Sequence, residues 1–248
     1  MNILPLKQFK ILLIGDNCVD VYQYGTVDRI SPEAPVPVFR FDSEERRAGM
    51  AGNVCSNLVA LECAVRYRHC EPSIKTRLID TRSKQQIVRI DNDVYSDPID
   101  IDYNDLYSYD AIVVSDYNKG AVSYELVETL RKQFTGPIFV DTKKTDVHRF
   151  EGCYVKINSL EYSRLTSVCS NLIVTEGDQG ARLDGHTYLA PQVEVSDVCG
   201  AGDTFLAALT YGYLCTYDIV KAIEFANRAA SVTVQHLGVY APTLKELE

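Results

Sequence analysis

Short uninterrupted apolar runs recur along the chain, and they constrain its fold more than any other feature. KILLIGD (Lys10–Asp16) is closed by a glycine, and similar runs follow at Ala111–Ser115, Ile138–Asp141, Tyr154–Ile157 and Leu172–Thr175. Strands that are apolar on both faces belong inside a sheet covered on both sides. Helical periodicity interleaves with them. It spans Gly49–Ala64, with Val54, Leu58 and Leu61 on one side, then Ser123–Phe134, Gly202–Cys215 and Asp218–His236. Strands alternating with helices predict an α/β chain with a mostly parallel sheet sandwiched by helices. A hairpin is predicted over Gly180–Ala190. Two segments differ in kind: Asp20–Phe41 alternates around the turn ISPEAP, and Ile74–Thr81 with Gln85–Asp91 reads as a β-pair. They predict a small β lid, roughly 19–43 plus part of 85–92, on one domain spanning 1–248.

Composition narrows the function. A net charge of −9 argues against a general nucleic-acid or anionic-membrane binder. It leaves room for a phosphate ligand, which a helix N-terminus, a few cations or Mg²⁺ can hold. No apolar run approaches the ~18 residues of a membrane span, and the N-terminus lacks a signal-peptide pattern, so a cytoplasmic location is expected. Eight scattered cysteines without a C-x-x-C pair read as reduced thiols. The isolated histidines offer no zinc spacing.

The segment Val195–Leu209, VSDVCGAGDTFLAAL, carries the chemistry. Gly200, Ala201 and Gly202 precede an amphipathic run with Asp203 at its start. Unpaired N–H groups at such a helix start form an anion hole, and glycines admit a phosphate close to the backbone. Asp203 beside that anion could accept a proton from an attacking hydroxyl. The same residues are also compatible with a plain capping aspartate and glycines that serve tight packing. The segment is neither a Walker A loop nor a G-x-G-x-x-G fingerprint.

Asp197-Val-Cys-Gly-Ala-Gly-Asp-Thr204 resembles the carboxy-terminal signature of the PfkB/ribokinase family of sugar kinases. Gly15-Asp16 with Asp20, Arg47-Ala-Gly-Met-Ala-Gly-Asn53, Asn158-Ser-Leu-Glu161 and Phe225-Ala-Asn-Arg-Ala-Ala230 resemble further family motifs in order. Arg29–Val38, Gln85-Gln86 with Arg89 and Asp91, Ser115–Gly120 and Asp141–Asp146 resemble one branch, the kinases of D-glycero-β-D-manno-heptose 7-phosphate. The resemblance covers nearly the whole chain.

The resemblance implies a ribokinase-like fold and transfer of the ATP γ-phosphoryl group to O1 of that heptose phosphate, with Mg²⁺ as cofactor. In that family the final aspartate, here Asp203, is the base, and the backbone of Gly200, Ala201 and Gly202 holds the phosphoryl group. Asn158 and Glu161 would act on Mg²⁺ through water. Thr175, Gly177 and Asn227 would join them around ATP. Asp16, Asp20, Gly49 and Asn53 would hold the sugar, and Arg89, Lys119 and Lys143 are candidates for its distal phosphate. A homodimer through the lid is expected.

Several departures accompany the match. Met50 stands where the family has glycine, and Thr142 and Lys144 replace Pro and Gly. Cys199 replaces threonine; it is either an inert small residue or a thiol activated by the helix start. Between Ala64 and Ile74 about one βαβ unit, ~30 residues, is missing, so a trimmed sheet with its active site retained is expected. The nucleotidyltransferase domain fused to some relatives is not expected here. A kinase for another sugar, or a non-catalytic sugar- or nucleotide-binding relative, are the competing readings.

Overall fold

The structure, a computed structural model, describes residues 8–247. In chain order the elements are β1 (Lys10–Gly15), β2 (Asn17–Ile30), β3 (Pro37–Met50), α1 (Ala51–Ala60), β4 (Ala64–His69), β5 (Ser73–Asp80), β6 (Gln85–Asn92), β7 (Ala111–Asp116), α2 (Tyr124–Gln133), β8 (Ile138–Thr142), β9 (Tyr154–Asn158), α3 (Ser159–Tyr162), β10 (Leu172–Thr175), β11 (Ala181–Leu183), β12 (His186–Tyr188), α4 (Ala201–Thr216), α5 (Ile219–Thr233) and α6 (Leu244–Leu247). Eight strands form the main sheet in the order β12-β11-β10-β9-β8-β7-β1-β4. It is parallel from β4 to β10 and antiparallel through the terminal hairpin. The expected ribokinase-like α/β layering is present.

Alternation along the strands splits the core in two. Ile11, Leu13, Val113, Phe139 and Ile173 face α1, α4 and α5, while Leu12, Ile14, Val114, Val140 and Ile157 face α2 and its neighbouring loops. Helix ends are set by local chemistry. The Ser123 hydroxyl accepts from the Leu126 N–H to start α2, and Asp218 accepts from the N–H groups of Val220 and Lys221 to start α5. By contrast, α4 begins without a side-chain cap, so its first turn keeps free N–H donors.

Two expectations are corrected. The residues from Ala64 form a sixth parallel strand, β4, before the chain leaves for the smaller sheet through Cys70–Pro72. Its half-exposed sequence AVRYRH hides the strand, because a charged edge strand has no apolar run to betray it. The smaller sheet is also larger than expected. It has the order β3-β2-β5-β6 and takes in all of 17–30, 37–50, 73–80 and 85–92, with β5 parallel to β2. The charged stretch Asp42–Arg47 within β3 obscures that strand's length, since exposed residues on both faces erase the period of two.

One crossover is short. Between parallel β9 and β10 the chain has only the four-residue α3 and the stretch 163–171, close to the shortest crossover that parallel strands allow. Leu165 and Cys169 from that stretch pack onto the α2-side core.

Phe139 is fully buried, stacked on Tyr154 at 5.2 Å and edge-on to Tyr213 at 5.6 Å. Phe139→Ala should therefore cost about 3–5 kcal/mol, lowering the melting midpoint by roughly 6–20 °C for a chain of this size. Calorimetry or thermal circular dichroism checks this.

Candidate active site

Functional side chains gather outside the carboxyl ends of β1, β7, β8 and β9, on either side of the point where strand order reverses between β1 and β7. The approach to α4 is pinned by Asp197, whose Oδ1 accepts from the Cys199 N–H at 3.0 Å and Oδ2 from the Gly238 N–H at 2.9 Å. These bonds hold its carboxyl below the usual range despite partial burial. Gly200 then takes φ 78°, and a Cβ there would sit 2.7 Å from Asn53 Nδ2, so only glycine fits. The Ala201 N–H donates to the Val198 carbonyl at 3.3 Å, which removes it from the expected anion hole. Among the described residues, the N–H groups of Gly200, Gly202 and Asp203 meet no acceptor. The donor set thus loses Ala201 and extends to Asp203.

Asp203 is 6% exposed. Its Oδ2 accepts from Asn53 Nδ2 at 2.8 Å and its Oδ1 from the Tyr117 hydroxyl at 3.0 Å. Burial pushes its pKa up to about 6, with Asp141 adding to the rise; the Asn53 and Tyr117 bonds and the Lys156 charge oppose it. The Asn53 amide is itself fixed, since Asn57 Nδ2 donates to its Oδ1 at 3.3 Å and Thr204 Oγ1 donates to Asn57 Oδ1 at 2.8 Å. An aspartate near 6 is mostly ionised at neutral pH and yet more basic than an ordinary carboxylate, which suits a proton acceptor.

The smaller sheet carries a polar cluster at its end nearest α1. Asp20 pairs with Arg77, and a Cβ on Gly49 would come within 2.3 Å of Asp20 Oδ2, which explains the glycine. The guanidinium groups of Arg47 and Arg77 lie over the Tyr22 ring at 5.1 and 5.2 Å. Lys119 is buried, paired to Asp93 at 2.7 Å and set over Tyr95. Arg89 is exposed and paired to Asp91, directly across the strand pair from Arg77. Met50, in the family's glycine position, takes φ 52° at the start of α1, a conformation that costs a non-glycine residue on the order of 1–3 kcal/mol.

One further expectation is corrected here, and three other residues find their places. Asp16 is fully buried, and its carboxylate accepts from the N–H groups of Tyr117, Lys119 and Ala121, so it organises the loop after β7 and is not free for a sugar. Lys143 pairs with Glu161 and lies over the Tyr117 ring at 5.2 Å, between the Asn158–Glu161 turn and the tyrosine that meets Asp203. Asn227 lines an apolar cleft, where its amide donates to the Tyr188 carbonyl at 2.7 Å and so ties the hairpin to that wall. The Cys199 thiol is pushed up to about 11 by burial and by Asp197, which excludes an activated thiolate.

On the far side of α4's first turn, this open, mainly apolar cleft of about 200 Å³ is lined by Thr175, Gly177, Pro191, Phe205, Asn227 and Ser231 among others. Beside it, Asn158 and Glu161 form a reciprocal capping box: Glu161 Oε2 accepts from the Asn158 N–H, and Asn158 Oδ1 accepts from the Glu161 N–H. No cluster of three acidic, His or Cys residues that could grip a bare metal occurs among the described residues. One carboxylate fits only a hydrated ion such as Mg²⁺ held through its waters.

Tyr117, Arg77, Asp141 and Lys156 were not singled out from the sequence. Tyr117 lies inside a recognised motif, and Arg77 shares a face with Lys75 in an alternating strand. Nothing local flags Lys156, which stands in an otherwise apolar run.

Comparison with known proteins follows this geometry. Residues 160–246 match the pfkB family carbohydrate kinase description. The "Bifunctional protein HldE" of Helicobacter pylori strain HPAG1 is 31% identical over 303 aligned positions, covering 96% of this chain and 65% of that protein. The protein of the same name from Pasteurella multocida strain Pm70 is 32% identical, covering 98% and 63%. The chain therefore spans slightly under two thirds of these relatives' length, and the alignments are longer than its 248 residues. Among solved structures, Arabidopsis thaliana ribokinase complexed with ribose and ATP superposes with TM-score 0.71 at 16% identity over 97% of each chain. Escherichia coli phosphofructokinase-2 in complex with potassium does the same, with TM-score 0.71, 16% identity and 97% of each chain. No helix among the described residues is long and apolar enough to cross a membrane.

A raised aspartate pKa has a stability signature. Asp203 binds its proton more tightly in the folded state, so its contribution is fully present below the unfolded value near 3.8 and is lost as pH rises through about 6. Asp203→Asn should therefore melt progressively higher than the parent as pH is raised from 4 to 7.5, which thermal melts at matched pH will check.

Proposed function

We propose that the chain is a pfkB-type carbohydrate kinase, as its similarities support, and that it transfers the γ-phosphoryl group of ATP to O1 of D-glycero-β-D-manno-heptose 7-phosphate, within the synthesis of ADP-heptose for lipopolysaccharide. The observation that carries this reading is the buried Asp203 carboxylate held at the same helix turn as three unpartnered N–H groups. A base and an anion hole a few ångströms apart are what transfer from a phosphoanhydride to a hydroxyl requires.

Asp203 takes the proton of the sugar hydroxyl as its oxygen attacks the γ-phosphorus, with ADP as the leaving group. Donors from Gly200, Gly202 and Asp203 meet the equatorial phosphoryl oxygens. Tyr117 and Asn53 fix the carboxylate's direction, so little reorganisation accompanies the step. Glu161 and Asn158 would hold a hydrated Mg²⁺ through its waters, and the ion would supply charge neutralisation on the phosphates. Asp20 and Asn53 hold sugar hydroxyls. Arg77 and Arg47, with Lys119 and Arg89 nearby, meet the anionic end of the substrate, and the smaller sheet covers it as a lid that excludes water. The apolar cleft receives the adenosine. Exposed Ile87, Val88 and Ile90 on β6 support a homodimer through the lid; a monomer at micromolar concentration by light scattering would remove that part of the proposal.

Met50 and the short crossover favour testing other acceptors as a second reading, a pfkB kinase for a different sugar phosphate. ATP consumption across a panel of sugars and sugar phosphates should be fastest with the heptose 7-phosphate. Asp203→Asn should lower kcat by roughly 10²–10⁴-fold or more while nucleotide binding, followed by calorimetry, stays within a few-fold. Near-normal turnover in that variant would remove the base assignment.

A further inference from the structure

Behind the α4 turn, the sheet buries an ion pair that the mechanism above does not use. Lys156 on β9 and Asp141 on β8 are register partners, 3% and 4% exposed, with Nζ donating to Oδ2 at 2.8 Å. They lie on the α1/α4 side of the sheet, at its carboxyl end. The pair is not symmetric toward the site. A Cβ on Gly202 would lie 2.9 Å from Lys156 Nζ, so the ammonium presses against the first turn of α4. Asp141 Oδ1 is buried without a hydrogen-bond partner, so the carboxylate is held by little besides this lysine. Hydrophobic replacement of such a pair is often neutral or stabilising, so stability alone is weak grounds for placing two charges there.

We propose that Lys156 is a positioning residue for phosphoryl transfer: clamped by Asp141, its ammonium is a fixed positive charge directly behind the anion-binding turn, and it acts through Asp203 and that turn. The inference rests on the kinase reading and deepens it. The charge serves both partners of the reaction at once. It favours the ionised, proton-accepting carboxylate of Asp203, and it reinforces the positive end of α4 toward the phosphoryl oxygens. The groups facing Asp203 are Asn53 from α1, Tyr117 from the loop after β7, Asp141 from β8, Lys156 from β9, Lys143 beyond β8 and, farther off, Tyr67 from β4. Of these, Asp141 and Lys156 pull Asp203 in opposite directions. The glycine at 202 is then explained twice, by phosphate approach and by the lysine beneath it.

The test compares Asp141→Asn with the double variant Asp141→Asn/Lys156→Met, which differ only in the buried positive charge; Lys156→Gln against the parent repeats the comparison should the double variant fail to fold. Two readouts are taken: the pH profile of kcat/KM for ATP-dependent phosphorylation, and the ¹³C titration of the Asp203 carboxyl carbon, which needs no sugar. Loss of the lysine should raise the Asp203 midpoint and the acid limb together by roughly one pH unit, a tenfold loss of kcat/KM on the acid side, with the ATP KM within about threefold and cooperative melting retained. A midpoint that moves by less than ~0.2 unit, small against the roughly one-unit spread of carboxyl pKa values among proteins, would overturn the proposal whatever the kinetics show. So would an acid limb that stays in place while the midpoint moves. An inactive parent enzyme would count against the kinase reading alone, because the carbon titration still decides the role of Lys156.

Discussion

The Asp203 carboxylate is buried where three separate parts of the chain converge, and its two hydrogen bonds tie them into one geometry. Asn53 arrives from α1 at the end of the long β3 strand, Tyr117 from the loop after β7, and the carboxylate itself from the uncapped start of α4. Burial makes the ionised form costly, and the two donors offset that cost only in part. The supporting structure follows from this requirement. Asn57 and Thr204 lock Asn53, Asp16 shapes the loop that carries Tyr117, and Asp197 fixes the backbone that delivers α4. Each of these polar groups is placed to hold something that touches Asp203.

This convergence ties the site to the middle of the sheet. The constellation draws on the carboxyl ends of β1, β7, β8 and β9 and on α1 and α4. The charged edge strand β4 and the short crossover from α3 to β10 lie outside it. The register of the central strands places the site.

Much of the architecture is legible in the sequence because buried parallel strands announce themselves as apolar runs, and the helices between them keep a clean period. The edge strand β4 and the charged length of β3 are not legible, because solvent on their faces removes the pattern. The site divides similarly. Gly200, Asp203, Asn53, Asp20 and Gly49 stand out through glycine placement and family motifs, and the structure brings them together. Asp16 is a motif residue that the fold uses as a support, a distinction that only its hydrogen bonds reveal. Lys156 and Tyr117 escape notice for the opposite reason: a lone polar residue in an apolar strand, or a tyrosine in a loop, acquires meaning only from what lies across the fold.

The reading as a whole turns on where phosphate goes. The most direct measurement is ³¹P NMR of the product formed from Mg·ATP and D-glycero-β-D-manno-heptose 7-phosphate. The account predicts a second phosphomonoester signal coupled to the anomeric proton, growing in step with ADP. Phosphate released to water, or ADP formed without a new sugar phosphate, would contradict it.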